Sequence, residues 1–170
     1  MAHDTLVRPS VDGPPSFAHQ VAHVPMVLVV DDEPISRKIV HAKMLTFGAN
    51  VIEAADGAAA FAELRNRRFD LAIVDLDMPT MDGMDLIRCV RGHPQLNHIP
   101  IVVLTGNESR GSLDGALSAG ATSFLRKPLN WRCFGPHIRH LLQIARPPLL
   151  QFPSAFAGMP TRKGSIGHDS

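Results

Sequence analysis

The chain has 170 residues, of which 45% are apolar and 19% are charged, so it can bury the core of one ordinary domain. Its formal net charge is +1, which gives no electrostatic basis for binding nucleic acid or an anionic membrane. The two cysteines, Cys89 and Cys133, lack the spacing of a metal or redox motif, and no apolar run is long enough to cross a bilayer. We therefore expect a cytoplasmic protein that contacts neither nucleic acid nor membrane.

The two ends of the chain differ in composition from its middle. Residues 1–25 and 146–170 contain many prolines and glycines and show no hydrophobic periodicity. Such composition is typical of flexible tails. We therefore predict one folded domain over residues 26–145, flanked by a flexible tail on each side.

Within this domain, short apolar runs alternate with stretches of helical periodicity. The predicted strands are residues 26–30, 50–54, 71–75, 99–105 and 122–126. The predicted helices are residues 34–47, 58–64, 83–90 and 112–119, with a last helix ending near residue 145. The first helix is predicted from an apolar face of Ile35, Ile39, Ala42 and Leu45. Five strand–helix units predict a doubly wound α/β fold with a five-stranded parallel sheet.

Polar residues stand at the carboxyl ends of four of the predicted strands. Asp31 and Asp32 follow the first strand, Asp75 ends the third, Thr105 ends the fourth, and the fifth leads into Lys127. The carboxyl ends of parallel strands meet at one edge of the sheet, where such folds place their sites. We therefore expect these five side chains to lie together.

This set of residue types favours phosphoryl chemistry. Three neighbouring carboxylates repel one another unless a cation lies between them, and oxygen-only ligands suit Mg²⁺. A carboxylate can also act as a nucleophile and form an aspartyl phosphate. Lys127 would supply positive charge, and Thr105 a hydroxyl, to the transferring phosphoryl group.

Four blocks of sequence, VVDDEP, DLDMPTMDG, VVLTG and FLRKP, resemble the signature blocks of response-regulator receiver domains of bacterial two-component signalling. Their spacing is similar too, with 43 residues from Asp32 to Asp75, 30 from Asp75 to Thr105 and 22 from Thr105 to Lys127. The resemblance covers residues 26–145. It implies a flavodoxin-like (β/α)5 fold with strand order 2-1-3-4-5, like that of a stand-alone chemotaxis receiver.

The resemblance also implies the roles of individual residues. Asp75 would be the phosphoacceptor, phosphorylated by a sensor histidine kinase or a histidine phosphotransfer protein, and the chain would then change its binding to a downstream partner that the sequence does not identify. Mg²⁺ would be held by Asp31, Asp32, Asp75 and the backbone carbonyl of Asp77. Lys127 and Thr105 would contact the phosphoryl group. Thr105 and Phe124 would form the switch, and Asp77 and Asn107 would set the lifetime of the phosphoryl group, in the range of seconds to minutes. Among the first-helix residues, Ile35, Arg37 and Lys38 would help to select the kinase.

Two other readings stay open at this point. The DLDMP block also resembles the paired-aspartate motif of haloacid dehalogenase phosphatases, which are Mg²⁺-dependent enzymes with an aspartyl-phosphate intermediate. In that family the motif normally ends the first strand and its second acid pair lies downstream, whereas Asp31 and Asp32 lie upstream here. A receiver-like fold used only as a scaffold is the other reading. We expect a phosphoacceptor with slow self-dephosphorylation, and not an enzyme that turns over a substrate.

Five smaller features carry expectations of their own. Asp82 is placed to cap the third helix, and Gly120 to end the fourth in a left-handed conformation. The resemblance implies a cis peptide bond before Pro128. Pro136 falls inside the last helix, and the Gly135–Pro136 pair predicts that the helix breaks and restarts there. The 25 residues after the domain are too few for an output module, so the chain would be a stand-alone receiver or a piece of a longer regulator.

Overall fold

A computed structural model describes residues 23–106 and 110–145. The strands are β1 (Met26–Val30), β2 (Asn50–Ala54), β3 (Leu71–Asp75), β4 (Ile101–Thr105) and β5 (Ser123–Arg126). The helices are α1 (Pro34–Leu45), α2 (Gly57–Asn66), α3 (Gly83–Gly92), α4 (Arg110–Ala119) and α5 (Trp131–Ile144). Strands and helices therefore alternate along the chain, as the periodicity predicts.

The five strands form one parallel sheet in the order β2-β1-β3-β4-β5. The central strands β3 and β4 are buried at every residue, because helices cover both faces of the sheet. This arrangement confirms the predicted doubly wound class and the strand order 2-1-3-4-5. The order reverses between β1 and β3, so the end of β1 and the end of β3 flank the topological switch point.

Two hydrophobic clusters hold the helices against the sheet. On one face, Val40 and Met44 of α1 meet Phe134 and Ile138 of α5 over alternate residues of β1, β3 and β4. On the other face, α2, α3 and α4 pack over the remaining strand residues. The strand alternation thus divides one set of apolar runs between two cores.

The apolar face predicted for α1 is exposed instead of buried. Ile35, Ile39 and Leu45 are 70%, 50% and 54% exposed, and the residues that α1 buries are Val40 and Met44. Both sets of positions repeat with a helical period, so the sequence pattern alone does not show which set faces the sheet. Helix α1 therefore carries a second, unburied apolar stripe.

The expected break at Pro136 is wrong, because α5 runs without interruption from Trp131 to Ile144. Asn130 caps the helix, and Pro136 lies in its second turn with its ring exposed. The residue before a proline is usually forced out of the helical region by its own Cβ, and Gly135 has none. Gly135 is also buried, and a Cβ there would lie 3.0 Å from the ring of Phe47. The glycine permits the proline to continue the helix.

The first described residues contact the folded domain. His23 Nε2 lies 2.9 Å from an oxygen of Asp70, and the backbone amide of Asn50 donates to the carbonyl of Pro25 at 2.8 Å. Of the predicted tails, residues 1–22 and 146–170 lie outside the described residues. In the part of the chain that the structure describes, no helix is both long and apolar enough to cross a membrane.

Candidate active site

Three polar residues are buried at the carboxyl edge of the sheet. Asp31 follows β1 and is 0% exposed, Asp75 ends β3 and is 6% exposed, and Thr105 ends β4 and is 1% exposed. Parallel pairing of β1 with β3 and of β3 with β4 brings these strand ends side by side. Burying two carboxylates is costly unless they are paired or hydrogen-bonded, so their partners define the site.

Lys127 bridges the two buried acids. Its Nζ donates to Asp75 Oδ2 at 2.6 Å and to Asp31 Oδ2 at 3.0 Å. The backbone of Lys127 is fixed by a hydrogen bond from its amide to the carbonyl of Thr105 at 2.9 Å, and the Lys127–Pro128 peptide is cis, as expected. One ammonium group thus compensates two carboxylates that come from different strands.

The pKa values show that this compensation is incomplete. Burial raises the pKa of Asp75 above its ordinary value and the charge of Asp31 raises it further, although the hydrogen bond from Lys127 opposes both. Burial works to lower the pKa of Lys127, but its hydrogen bonds to Asp75 and Asp31 outweigh burial and raise that pKa. The lysine is therefore firmly charged, whereas the Asp75 carboxylate is held under electrostatic strain.

Asp31 has the most complete set of hydrogen-bond donors. Its Oδ1 accepts from the Glu33 amide at 2.9 Å. Its Oδ2 accepts from Ser36 Oγ at 2.6 Å and from Lys127. Its backbone carbonyl accepts from the Arg37 guanidinium at 2.5 Å. Sequence reasoning assigned no role at the site to Ser36 and placed Arg37 on a docking surface. The sequence feature that could have indicated these roles is the position of Ser36 and Arg37 in the first turn of α1, directly after Asp31 and Asp32.

Arg37 is turned inward, which removes it from the predicted kinase-selecting set. Its side chain is only 14% exposed, and its Nε donates to Glu53 of β2 at 3.3 Å. Ile35 and Lys38 remain exposed on α1, with the Lys38 side chain 69% exposed and paired with Glu53. Arg37 therefore ties the first strand to α1 and β2 and offers little surface to a partner.

The loop after Asp75 packs tightly onto the backbone of that residue. A Cβ added to Gly83 would lie 2.3 Å from the Asp75 carbonyl oxygen, so only glycine allows α3 to begin there. Asp82 caps α3 by accepting from the Asp85 amide at 2.8 Å, as predicted. Thr80, in the same loop, has φ 71, a conformation that a β-branched residue rarely adopts. Gly120, after α4, has the expected left-handed conformation, with φ 109.

The donor set at this edge suits a divalent cation. Asp31, Asp32 and Asp75 each offer a carboxylate oxygen, and these oxygens all lie within 4.8 Å of one another. Asp32 is exposed, so the group opens to solvent on one side. An all-oxygen set with few side chains fits Mg²⁺, which keeps several waters when it binds a protein. The three carboxylates outnumber the single lysine, so a cation would complete the charge balance.

The remaining predicted residues lie at different distances from this centre. Asp77 is exposed, and its amide donates to Asp75 Oδ1 at 3.3 Å. Phe124 is half-buried on β5, paired in register with Val103 and packed against the cluster under α2, α3 and α4. Asn107 lies outside the described residues. The structure therefore brings together Asp31, Asp32, Asp75 and Lys127, with Thr105 at the neighbouring strand end.

Asp31 and Asp75 are buried at the switch point of a doubly wound sheet, and Lys127 bridges them. This arrangement defines an α/β protein with a charged ligand site at the carboxyl edge of its sheet. The family model described as the response regulator receiver domain matches residues 27–134, and the chain belongs to this family. The haloacid dehalogenase alternative is not favoured, because the DLDMP block begins at the end of β3 and not of the first strand, its second acid pair, Asp31 and Asp32, lies upstream after β1, and the matched family is a different one.

Curated relatives include both short and long proteins. Over 103 residues the chain is 35% identical to the chemotaxis protein CheY of Pseudomonas aeruginosa, covering 60% of this chain and 83% of that protein. It is 37% identical over 101 residues to a gliding motility regulatory protein of Myxococcus xanthus, covering 59% of this chain and only 13% of that protein. The domain thus occurs in relatives of very different length.

Solved structures agree with this assignment. The chemotaxis response regulator CheY4 of Vibrio cholerae superimposes with a TM-score of 0.66 at 33% identity, covering 70% of this chain and 99% of that one. The receiver domain of the sensor histidine kinase PA1611 from Pseudomonas aeruginosa PAO1 gives a TM-score of 0.66 at 26% identity, covering 71% and 99%. In that structure a magnesium ion is coordinated in the active-site cleft.

Proposed function

We propose that this receiver accepts a phosphoryl group on Asp75 from a sensor histidine kinase or a histidine phosphotransfer protein, in the cytoplasm, and thereby changes its affinity for a partner. The observation that carries the proposal is the position of Asp75, which is buried, under electrostatic strain, and 2.6 Å from Lys127 Nζ. Buried carboxylates whose pKa is raised and which contact a specific charged partner concentrate at functional sites.

In the transfer step, a carboxylate oxygen of Asp75 attacks the phosphorus of a phosphohistidine. A new P–O bond forms, the P–N bond to the donor breaks, and the donor imidazole leaves with the electron pair and takes up a proton. Lys127 lies beside Asp75 before the donor arrives, so its positive charge is near enough to stabilise the negative charge that gathers on the phosphoryl oxygens. Mg²⁺, when held by Asp31, Asp32, Asp75 and the Asp77 carbonyl, would supply further charge neutralisation.

The exposed stripe of α1 is the surface we assign to the phosphodonor. Ile35 and Ile39 line a groove of about 250 Å³ that also includes Lys127 and Trp131. An apolar surface beside the reactive lysine allows a donor helix to bury its own apolar face while its histidine reaches Asp75. Lys38, at the edge of this stripe, would contribute to the choice of donor.

We further propose that the signal leaves the site through Thr105 and Phe124. Thr105 is buried at the end of β4, and Phe124 lies on the neighbouring strand. A phosphoryl group that draws in the Thr105 hydroxyl would alter the packing between β4 and β5. Coupling energies of about 1–3 kcal/mol correspond to a rise in partner affinity of roughly 5- to 150-fold. The short polar residues Asp77 and Asn107 would leave the phosphoryl group open to water and give a lifetime of seconds to minutes.

Mass spectrometry tests the central proposal. Incubation with acetyl phosphate and Mg²⁺ should add one phosphoryl group to the wild-type chain, and the product should decay without sustained release of phosphate from a generic phosphoester. Asp75→Asn should gain no mass under the same conditions. Equal labelling of Asp75→Asn would refute the assignment of the phosphoacceptor, and continued turnover of a phosphoester would favour the phosphatase.

Docking of the donor is tested separately from the chemistry. With any purified histidine kinase that labels the wild type, Ile39→Asp should slow transfer from the kinase at least tenfold and leave labelling by acetyl phosphate unchanged. Ile144 is 64% exposed at the far end of α5, so Ile144→Asp is the matched control and should behave as wild type. A uniform effect of both substitutions would show that the α1 stripe has no special role.

A further inference from the structure

Ser36 donates a short hydrogen bond to a buried carboxylate of the site. It is the third residue of α1, and its Oγ lies 2.6 Å from Asp31 Oδ2. The same oxygen also accepts from Lys127 Nζ at 3.0 Å. Asp31 is 0% exposed, so solvent does not replace a donor that is lost. The hydroxyl and the ammonium therefore share the task of holding one carboxylate oxygen.

The two donors differ in how long they remain available. Lys127 has a second and closer partner in Asp75, at 2.6 Å. A phosphoryl group on Asp75 would bring more negative charge to that side of the lysine and draw its ammonium away from Asp31. The Ser36 hydroxyl has no such competing anion among its described hydrogen bonds, and α1 fixes its backbone. Of the two donors to Asp31 Oδ2, the Ser36 hydroxyl is therefore the one that we expect to stay in place during phosphoryl transfer.

The hydroxyl is not needed to begin the helix. Glu33 is the cap of α1, and its carboxylate accepts from the amides of Ile35 and Ser36 at 3.0 and 2.5 Å. Alanine has a higher helix propensity than serine at such a position. The bond from Ser36 to Asp31 is therefore not explained by the local stability of α1.

We propose that Ser36 is a positioning residue, whose hydroxyl holds the Asp31 carboxylate in the orientation that binds Mg²⁺ while Lys127 is released to the phosphoryl group. This inference rests on the proposed function. Groups that orient metal ligands usually affect metal affinity about 10- to 100-fold when they are removed. Ser36 acts on one of three carboxylates, so we expect an effect near the lower end of that range.

The test compares wild type, Ser36→Ala and Ser36→Thr. Calorimetric titration with Mg²⁺ alone should give a Kd about tenfold higher for Ser36→Ala, and a Kd near wild type for Ser36→Thr. Ser36 lines an open groove, so Ser36→Thr is the conservative variant that keeps the hydroxyl. Labelling by acetyl phosphate across Mg²⁺ concentrations should show a raised half-saturation point for Ser36→Ala, with a smaller change in the rate at saturating Mg²⁺. Thermal unfolding without Mg²⁺ should show a modest loss of stability for Ser36→Ala, because Asp31 keeps the Glu33 amide and Lys127 as donors, and little change for Ser36→Thr.

Several results would overturn the inference. A Mg²⁺ Kd for Ser36→Ala that equals or is lower than that of wild type would show that the hydroxyl does not support metal binding. Equal weakening in Ser36→Ala and Ser36→Thr would remove the role of the hydroxyl. If Ser36→Ala fails to fold, Ser36→Cys keeps the size of the side chain with only a weak donor, and must show the same loss. Failure of the wild type to bind Mg²⁺ or to accept a phosphoryl group would instead refute the proposed function.

Discussion

The amino and carboxyl edges of the sheet differ in how far their charged groups are compensated by partners. At the amino edge, Asp70 accepts from the Met26 amide at 2.8 Å and contacts His23, and Arg91 donates to the carbonyls of Asn97, Ile99 and Gly120 at 2.8 to 3.0 Å. At the carboxyl edge, three carboxylates face one lysine. The first arrangement gives its charged groups hydrogen-bond partners and joins loops, whereas the second leaves negative charge in excess. This difference supports the proposal that the carboxyl edge serves chemistry, and it indicates that the amino edge serves stability.

We expect the largest effect from neutralising one acid at the carboxyl edge, which also distinguishes the roles of the two edges. Asp75→Asn should abolish phosphoryl acceptance completely. Because the folded environment raises the pKa of Asp75 and so favours its neutral form, the permanently neutral asparagine should not lower the free energy of unfolding at neutral pH. Mass spectrometry and urea unfolding of the same sample measure both quantities. A clear loss of stability would show that Asp75 also has a structural role.

The corresponding change at the amino edge should have the opposite result. Asp70→Ala removes the acceptor of the Met26 amide and should lower the free energy of unfolding by about 2 kcal/mol, the usual worth of a hydrogen bond to a charged group. Labelling of the folded protein by acetyl phosphate should be unchanged. Loss of labelling without loss of stability would break the division between the edges.

The sequence predicts well which residues meet at the carboxyl edge, but it predicts the contacts of the amino edge poorly, for a physical reason. Asp31, Asp75 and Lys127 directly follow or end apolar strands, so strand order alone places them together. Arg91 lies on an amphipathic helix, where an arginine is normally solvated, and only the packed structure shows that it reaches three carbonyls. The prediction of which face of α1 is buried was wrong for a similar reason, because the exposed and the buried apolar positions of this helix both have helical spacing.

A third prediction concerns Arg91 directly. Arg91→Met keeps the aliphatic part of the side chain but leaves three backbone carbonyls without their donor, which should cost about 3 kcal/mol of unfolding free energy. Arg88 is the matched control on the same helix, because its side chain is 64% exposed and, among the described residues, pairs with Asp85 alone. Arg88→Met should change stability by less than about 1 kcal/mol. Equal effects in urea unfolding would remove the special role of Arg91.

A fourth prediction uses pH to test Glu53, a carboxylate that lies near the carboxyl edge of the sheet but is hydrogen-bonded to three basic side chains. Burial acts to raise the pKa of Glu53, but hydrogen bonds from Lys38, His41 and Arg37 outweigh it and hold the pKa below 4.5. Glu53 therefore adds stability above pH 4.5, and this contribution is lost as the pH falls through the lowered pKa. Glu53→Gln should be less stable than wild type at neutral pH, and the difference should shrink on acidification. A difference that is constant with pH would show that charge is not its cause.

The smallest expected effect is a gain in stability from a substitution in the loop at the carboxyl edge. Thr80 has a left-handed backbone, which costs a residue with a Cβ about 1–2 kcal/mol, and glycine avoids this cost but loses more chain entropy on folding. Thr80→Gly should therefore raise the unfolding free energy by at most about 1 kcal/mol. Thr46 has φ −65 and serves as the control, since Thr46→Gly should be destabilising. Thermal unfolding distinguishes the two signs.

Pro136 has a consequence for how α5 opens. Proline has no amide hydrogen, so the carbonyl of Arg132, one turn earlier, receives no helical hydrogen bond from it. The first turn of any helix also lacks internal acceptors for its amides, apart from those that Asn130 provides here. We therefore expect the backbone amides at the beginning of α5, from Trp131 onward and close to Lys127, to exchange hydrogen quickly. The amides from His137 to Ile144 should exchange slowly. The part of the helix nearest the site should open first and most often.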